Sequence, residues 1–203
     1  MLLSGAVEKL WLLLPQLFDP VQNFFNGNYY DVLTEKLKEY PQARMLDLGC
    51  GVGSMLQIFN PKVYVGVDIN PTFIKLASRK YEKRQKTTFV CEDALTFVPK
   101  EKFDLVIASS FIHHLSDNQL KQMLTHVRNK IDFKYLVIND GKPKETMWKP
   151  LLLWLDGGAN FRDVEVVEPF LKEGYEVVEK GKLSANRPWY YYPYLVAKKK
   201  KRS

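Results

Sequence analysis

The chain has 203 residues, of which 46% are hydrophobic and 26% are charged, so it is long enough for one globular domain and too apolar for a disordered chain. Its formal net charge is +7, but the five basic residues 198–202 leave only 7 − 5 = +2 for the rest. Two cysteines provide neither a disulfide framework nor a metal-binding spacing. We therefore expect a cytoplasmic protein without a metal.

Residues 1–28 form a distinct N-terminal segment. Helical spacing of apolar side chains predicts an amphipathic helix that packs on the domain or covers its active site; these side chains are Leu3, Ala6, Val7, Leu10, Trp11 and Leu14. The apolar run from Leu10 to Leu14 ends at Pro15, which is too short for a signal peptide or a membrane-spanning helix. A second interpretation stays open, in which this helix and the basic tail make peripheral contact with an anionic membrane on its inner face.

Apolar runs and helical patterns then alternate along the chain. The predicted strands are 44–48, 63–67, 87–91, 103–109 and 133–139, and the predicted helices are 29–40, 53–59, 71–85 and 117–130. Asn70 and Pro71 mark one helix start, and the spacing of Ser116 and Gln119 is typical of a capping box. A helix near 164–173 precedes two strands, 175–179 and 189–197, that predict a hairpin. This alternation indicates a parallel sheet covered on both faces.

A glycine-rich turn, Asp47–Gly53, follows the first strand. Glycines at 49, 51 and 53 let the backbone turn sharply and approach a ligand closely. Ser54 and Leu56 stand where a dinucleotide-binding fingerprint needs glycine or alanine, and the chain has no P-loop motif, so NAD and FAD fit poorly. An acid ahead of the glycines would instead hold a cation such as an amino-acid ammonium. Asp68 ends the second strand, where a carboxylate can accept bonds from both ribose hydroxyls.

Two further motifs are Glu92-Asp93-Ala94, after the third strand, and Phe103–Ser110, the fourth strand with its loop, which continues into Ser110–Leu115. Together the four motifs resemble the class I S-adenosylmethionine-dependent methyltransferases over residues 29–197, particularly small-molecule members of the quinone-biosynthesis type. The resemblance implies an α/β, Rossmann-like, seven-stranded, mostly parallel sheet in the order 3-2-1-4-5-7-6, with helices on both faces and an antiparallel last strand. It implies S-adenosyl-L-methionine as cofactor, with S-adenosyl-L-homocysteine as product. The implied cofactor-binding residues are Asp47, Gly49, Cys50, Gly51, Gly53, Asp68, Ile69, Asp93, Ala94 and Ser109.

Three residues are candidates for the chemistry. Methyl transfer from a sulfonium is an in-line displacement, so the enzyme mainly aligns the acceptor and excludes water. A base is needed only when the acceptor loses a proton, and histidine suits that task near neutral pH. His113 and His114 follow the fourth strand, and we expect one to face the cleft, with His113 favoured, and the other to face the packing beneath. Asp140 ends the fifth strand. The alternative is that both histidines only shape the cofactor loop.

The acceptor would be recognised by the N-terminal helices and the insert at 141–163. Apolar side chains there predict a wall for a small, hydrophobic or aromatic acceptor, with ordinary core packing as the alternative; they are Phe24, Phe25, Tyr29, Tyr30, Trp148, Leu151, Leu152, Leu153, Trp154 and Phe161. The segment Trp189–Tyr192 is expected to supply strand faces rather than a stacking platform.

Two other functions compete with this prediction. A nucleic-acid methyltransferase would suit the pI of about 9.2, but Ser109-Ser110-Phe111 lacks the Pro-Pro-aromatic pattern of amino-methylating enzymes, so a nucleic-acid partner is not expected. A non-catalytic S-adenosylmethionine-binding module would bind the cofactor without turnover. Residues 198–203 are expected to form a disordered basic tail. The methylated atom, the pathway and the oligomeric state stay open.

Overall fold

The computed structural model describes residues 18–147, 149–156 and 158–200. The helix predicted within residues 3–14 and the aromatic candidate Trp148 lie outside these residues. The helices are α1 (Phe18–Asn26), α2 (Tyr29–Leu37), α3 (Met55–Ile58), α4 (Pro71–Lys80), α5 (Asp117–Lys130), α6 (Lys149–Asp156) and α7 (Val164–Leu171). The strands are β1 (Arg44–Leu48), β2 (Val63–Asp68), β3 (Thr87–Cys91), β4 (Lys102–Ser109), β5 (Asp132–Asn139), β6 (Lys142–Pro143), β7 (Tyr175–Leu183) and β8 (Tyr190–Lys199).

These strands form one twisted sheet. Strands β3, β2, β1, β4 and β5 are parallel neighbours in that order, β8 lies antiparallel to β5, and β7 lies antiparallel to β8. The hairpin β7–β8 therefore supplies the last two positions of the predicted 3-2-1-4-5-7-6 order, and the predicted fold is confirmed. Strand β6 was not predicted. It pairs Lys142 with Tyr191 and so continues the register in which β5 pairs with β8 up to Asn139 and Tyr194.

Two apolar clusters cover the two faces of the sheet. Alternate residues of a strand point to opposite faces, and in β4 Val106 belongs to one cluster while Leu105 and Ile107 belong to the other. Helix α5 covers the first face with Leu120, Met123, Leu124 and Val127, and α2 covers the second with Leu33 and Leu37. Because both faces are covered, ligands can reach the sheet only along its edges and strand ends.

Both predicted helix starts are confirmed. The Asn70 side chain accepts bonds from the backbone N–H of Thr72 and Phe73, at 2.9 and 3.3 Å, ahead of Pro71. Ser116 and Gln119 form the reciprocal capping box. Each cap starts a helix just beyond the carboxyl end of a strand, which leaves the preceding loop free to line a site at that edge.

The first residues of the predicted basic tail belong to the sheet. Lys198 and Lys199 belong to β8, where they pair with Glu176 and Tyr175, so the expected tail begins inside a strand. The side chains of these lysines are held, since Lys199 donates to the carbonyl of Ile131 at 2.5 Å and Lys198 lies 4.9 Å from the Tyr135 ring centroid. None of the helices in the described part of the chain is long and apolar enough to cross a membrane.

Candidate active site

A cavity of about 400 Å³ opens at the carboxyl ends of the parallel strands, where ligands bind in open α/β sheets. Eleven of the thirteen predicted site residues line it: Asp47, Gly49, Cys50, Gly51, Asp68, Ile69, Asp93, Ala94, Ser109, His113 and His114. The other two, Gly53 and Asp140, do not. Among the described residues, no group of three or more His, Cys, Asp or Glu side chains is placed to hold a metal ion.

The three loop glycines serve different purposes. All have positive φ, at +74°, +52° and +80° for Gly49, Gly51 and Gly53. A Cβ at Gly49 would lie 2.4 Å from the Phe111 ring, and one at Gly53 would lie 2.8 Å from the Tyr81 ring. A Cβ at Gly51 would meet no atom within 4 Å. Gly53 is therefore required for packing behind the loop and does not line the cavity, whereas Gly51 borders the open space of the cavity.

Asp68 fixes the glycine loop to the second strand. Its carboxylate accepts the backbone N–H of Gly51 at 2.9 Å and that of Asn70 at 2.8 Å, one on each oxygen. Burial raises the pKa of Asp68, although both hydrogen bonds act to lower it. Each oxygen can accept a further bond, so the side chain can also receive hydroxyl donors from a ligand.

Asp47 lies 1% exposed at the base of the loop. The Tyr64 hydroxyl donates to its carboxylate at 2.6 Å. Burial raises the pKa of Asp47 to about 7, the bond from Tyr64 opposes this rise, and the charge of Asp68 adds to it. The role of Tyr64 was not predicted, because this tyrosine stands within an apolar strand pattern.

His113 and Asp140 form a buried pair. The Nδ1 of His113 lies 2.5 Å from the Asp140 carboxylate, and the side chains are 2% and 4% exposed. Asp140 does not line the cavity, but it contacts two residues that do, His113 and Gly141, whose backbone N–H donates to the Asp140 carboxylate at 3.1 Å. The expectation that the two adjacent histidines face opposite ways is wrong, because both line the cavity and the His113 and His114 ring centroids are 4.1 Å apart. They lie in a 3₁₀ turn, Ile112–His114, where successive residues rotate by about 120° rather than the 180° of a strand.

A second buried polar cluster, whose mutual contacts the sequence did not predict, lies beside the cavity. The Tyr29 hydroxyl donates to the Asn139 side-chain oxygen and lies 3.3 Å from the Ser109 hydroxyl. The Tyr29 ring stacks on Tyr192 at 3.8 Å. Burial raises the pKa of Tyr29 well above its usual value, which keeps the hydroxyl protonated as a donor. Helix α2 is thereby fixed to the ends of β4 and β5.

The remaining cavity wall is largely apolar. Of the predicted acceptor residues, Phe25, Tyr30 and Leu152 line it. Phe24, Leu151 and Trp154 are exposed instead, Phe161 stacks on His113, and Tyr29 is buried. Tyr190 and Tyr192, which share one face of β8 because they are two residues apart, also line the cavity. The Trp189–Tyr192 segment therefore does more than supply strand faces.

The strand order and the acid–glycine loop at the head of the cavity are those of the class I methyltransferase fold. Residues 45–131 match the protein family described as methyltransferase domain. Residues 45–131 are therefore similar to a methyltransferase domain, and they lie within a sheet that has the class I fold.

Curated relatives with methyltransferase names match parts of the chain. Malonyl-[acyl-carrier protein] O-methyltransferase 1 of Ilyobacter polytropus is 26% identical over 130 residues, which are 55% of this chain and 47% of the relative. A ubiquinone biosynthesis O-methyltransferase of Rhodopseudomonas palustris is 35% identical over 77 residues, 36% of this chain and 30% of the relative. The matched region thus spans less than half the length of either relative.

Solved structures share the fold over most of the chain. N-methyltransferase NodS from Bradyrhizobium japonicum, in complex with S-adenosyl-L-homocysteine, has a TM-score of 0.67 and 18% identity, covering 87% of this chain and 88% of NodS. Magnesium protoporphyrin IX methyltransferase from Synechocystis, with bound S-adenosylhomocysteine, has a TM-score of 0.62 and 20% identity, covering 85% and 82%. These likenesses concern the fold.

Proposed function

We propose that this protein transfers a methyl group from S-adenosylmethionine to a small, hydrophobic or aromatic acceptor. One observation carries the proposal: a single cavity joins the acid–glycine loop, represented by Asp47, Gly51 and Asp68, to an aromatic wall that includes Tyr30 and Tyr190. His113 lines the same cavity. A site of this kind can hold a polar methyl donor and an apolar acceptor together, as in-line displacement requires.

The residues of the loop side fit the donor. Asp47, when ionised, would hold its ammonium group beside the open space at Gly51, and Asp68 would accept the ribose hydroxyls. Asp93 and Ile69, with the backbone at Ala94, would flank the adenine, since Ile69 is 63% exposed and lines the cavity. Cys50 and Ser109 complete the lining. When bound, S-adenosylmethionine supplies an electrophilic methyl carbon on a sulfonium.

The His113–Asp140 pair would accept the proton of a hydroxyl acceptor. With its proton on Nδ1 toward the Asp140 carboxylate, the His113 imidazole would act as the base through Nε2. The acceptor oxygen forms a bond to the methyl carbon while the carbon–sulfur bond breaks, and the acceptor proton moves to Nε2. The products are the methylated acceptor and neutral S-adenosylhomocysteine. His114, which lines the same cavity, would contact the acceptor.

The acceptor class rests on the aromatic wall. Phe25, Tyr30, Tyr190 and Tyr192 offer rings to a planar or apolar molecule. The names of similar proteins, which mention ubiquinone biosynthesis and magnesium protoporphyrin IX, agree with such an acceptor. We also propose a cytoplasmic location, with which the two free cysteines agree.

Calorimetry tests the cofactor assignment. Wild-type protein should bind S-adenosylmethionine and S-adenosylhomocysteine, and Asp68→Ala should weaken both by about 10- to 100-fold, because charge-assisted hydrogen bonds to the ligand are lost. Asp132→Ala is the matched control. It removes an exposed carboxylate at the start of β5, and the cavity lies at the other end of the strands. Equal binding by Asp68→Ala and wild type would refute the site assignment.

A screen of phenolic and quinol acceptors with a labelled methyl donor tests the activity. Transfer to an apolar aromatic acceptor supports the proposal. Tight cofactor binding with no transfer to any acceptor in the screen would favour the non-catalytic binding module instead.

A further inference from the structure

The segment Ala159–Asp163, here called the strap, runs along the outside of the histidine turn. The backbone N–H groups of Ala159 and Asn160 both donate to the carbonyl of His113, at 3.2 and 3.0 Å. The Phe161 ring stacks on the His113 ring with a centroid distance of 4.9 Å and an interplanar angle of 8°. Three consecutive strap residues therefore contact the same histidine, through its backbone and through its ring.

Arg162 continues this contact with its guanidinium. The side chain is buried, with its residue only 6% exposed. It donates to the carbonyls of Ile112 and Leu115, which flank the two histidines, at 3.0 and 2.7 Å. Further bonds reach the Asn160 carbonyl at 3.0 Å and the Asp117 carboxylate at 3.0 and 2.7 Å. These five bonds use all five N–H donors of arginine: two hold the turn, one stays within the strap and two reach the start of α5.

Asp163 fixes the other end of the strap to the Asp140 side of the site. Its carboxylate lies 2.5 Å from the Lys142 ammonium and 3.1 Å from that of Lys182, and it accepts the Tyr191 hydroxyl at 3.0 Å. Lys142 is two residues beyond Asp140. Burial acts to raise the pKa of Asp163, but the bonds from Lys142, Lys182 and Tyr191 lower it below its usual value.

We infer that the strap sets the geometry of the His113–Asp140 pair, with Arg162 as its main positioning residue. Adjacent residues hold the two halves of the pair: Arg162 holds the turn that carries His113, and Asp163 holds the segment that follows Asp140. The inference rests on the proposed function insofar as this pair accepts the acceptor proton. Arg162 does not line the cavity, so it acts on the reaction through the turn that it holds.

Imidazole NMR tests the inference without an acceptor, because the chain contains only three histidines. In wild-type protein, long-range ¹H–¹⁵N spectra recorded against pH should show His113 as a single tautomer with its proton on Nδ1. Arg162→Gln should replace this pattern by averaged tautomer signals and change the His113 titration. Arg162→Lys should have the same effect, since it keeps the charge but not the planar fork. His126, which is bonded to the Phe97 carbonyl at 2.8 Å, is the internal reference and should not change.

A milder variant keeps the test decisive if changes at the buried arginine prevent folding. The Asp117 side chain is 70% exposed, so Asp117→Asn should fold while it weakens two of the five Arg162 bonds. We expect a smaller change of the His113 signals in the same direction. Asp132→Asn is the matched control, because it removes one charge of the exposed Lys102–Asp132 pair and should leave His113 unchanged.

Unchanged His113 signals in folded Arg162→Lys and Asp117→Asn would overturn the inference. Calorimetry with S-adenosylhomocysteine separates this result from failure of the proposed function. Wild type and Arg162→Lys should bind it within about threefold of one another, because the guanidinium lies outside the cavity. Absence of binding by wild type would contradict the proposed function while leaving the NMR result to decide the role of the strap.

Discussion

The hydroxyl of Tyr64 donates a 2.6 Å hydrogen bond to the carboxylate of Asp47, which joins the first two strands beneath the glycine loop. Both residues are 1% exposed. Burial raises the pKa of Asp47 to about 7, and the hydrogen bond from Tyr64 limits that rise. Asp47 therefore gains the negative charge that would hold an ammonium group as pH rises through about 7, and loses it as pH falls.

Binding of S-adenosylhomocysteine should depend on pH. The ammonium of this ligand prefers ionised Asp47, and below the Asp47 pKa of about 7 binding must first release a proton. We expect the dissociation constant to rise as pH falls, approaching about tenfold per unit. Calorimetry between pH 5.5 and 8.5 measures the effect.

Two comparisons isolate Asp47 as the cause. 5′-Methylthioadenosine lacks the amino-acid part of the ligand, so its affinity should not follow this trend. Tyr64→Phe removes the bond that lowers the pKa of Asp47, and it should move the midpoint of the pH dependence upward. The same affinity for S-adenosylhomocysteine at pH 5.5 and 8.5 would contradict the assigned role of Asp47.

The stability that protonated Asp47 contributes to the ligand-free protein should be lost as pH rises from about 4 to about 7. The pKa of Asp47 is higher in the folded state, where it is about 7, than the 3.8 of an ordinary carboxyl. The folded state therefore binds the proton more tightly, and the unfolding free energy that this proton contributes is lost as pH rises through that interval. Urea unfolding of wild type and Asp47→Asn at pH 5 and 7.5 measures the difference. The variant should lose less stability between the two pH values, and equal losses would argue against a perturbed Asp47.

Alanine at Gly49 should cost more stability than alanine at Gly51, and alanine at Gly51 should weaken ligand binding. Both positions have positive φ, which costs alanine about 1–2 kcal/mol. At Gly49 the methyl group also meets the Phe111 ring, so we expect Gly49→Ala to lose at least about 3 kcal/mol of unfolding free energy. At Gly51 the methyl group enters open cavity space, so Gly51→Ala should lose only the backbone term.

Calorimetry completes this comparison. Gly51→Ala should raise the dissociation constant of S-adenosylhomocysteine at least about tenfold, because its methyl group occupies space that the ligand needs. Cooperative unfolding and unchanged binding by Gly51→Ala would show that the ligand does not approach this glycine.

The sheet and the loop side of the site could be predicted from sequence because their signals are local. Buried parallel strands read as continuous apolar runs, and Asp47, Asp68 and Asp93 stand directly at strand ends. The two-residue strand β6 gave no such signal, because it exists only through its pairing with β8. Helix α6 was also missed, since its apolar run is short and follows Pro150.

The partners of the site residues could not be predicted, because they are brought together only by the fold. Tyr29 meets Asn139 across 110 positions of sequence, and Arg162 meets Ile112 across 50. A tyrosine in an apolar pattern predicts core packing, and nothing local indicates which polar group its hydroxyl will reach. The same limit explains why Asp140 was expected in the cleft rather than behind His113.

Ser110 lines the cavity in a backbone conformation that favours glycine. Its φ is +50°, and its N–H donates to the Asn139 carbonyl at 2.9 Å. Ser110→Gly should raise the unfolding free energy by about 1 kcal/mol, because glycine adopts this conformation without the clash of a Cβ. Lys86, at φ +54°, is the matched control outside the cavity, and Lys86→Gly should give a similar gain. Urea unfolding measures both changes.

The two variants should differ in ligand binding. Strained residues at ligand sites hold the backbone in one arrangement, and glycine at 110 allows the end of β4 more freedom. We therefore expect Ser110→Gly to bind S-adenosylhomocysteine about 3- to 10-fold more weakly than wild type, since a more flexible loop loses more entropy on binding. Lys86→Gly should bind it with unchanged affinity. If Ser110→Gly gains stability and binds as tightly as wild type, the strain at Ser110 has no part in organising the site.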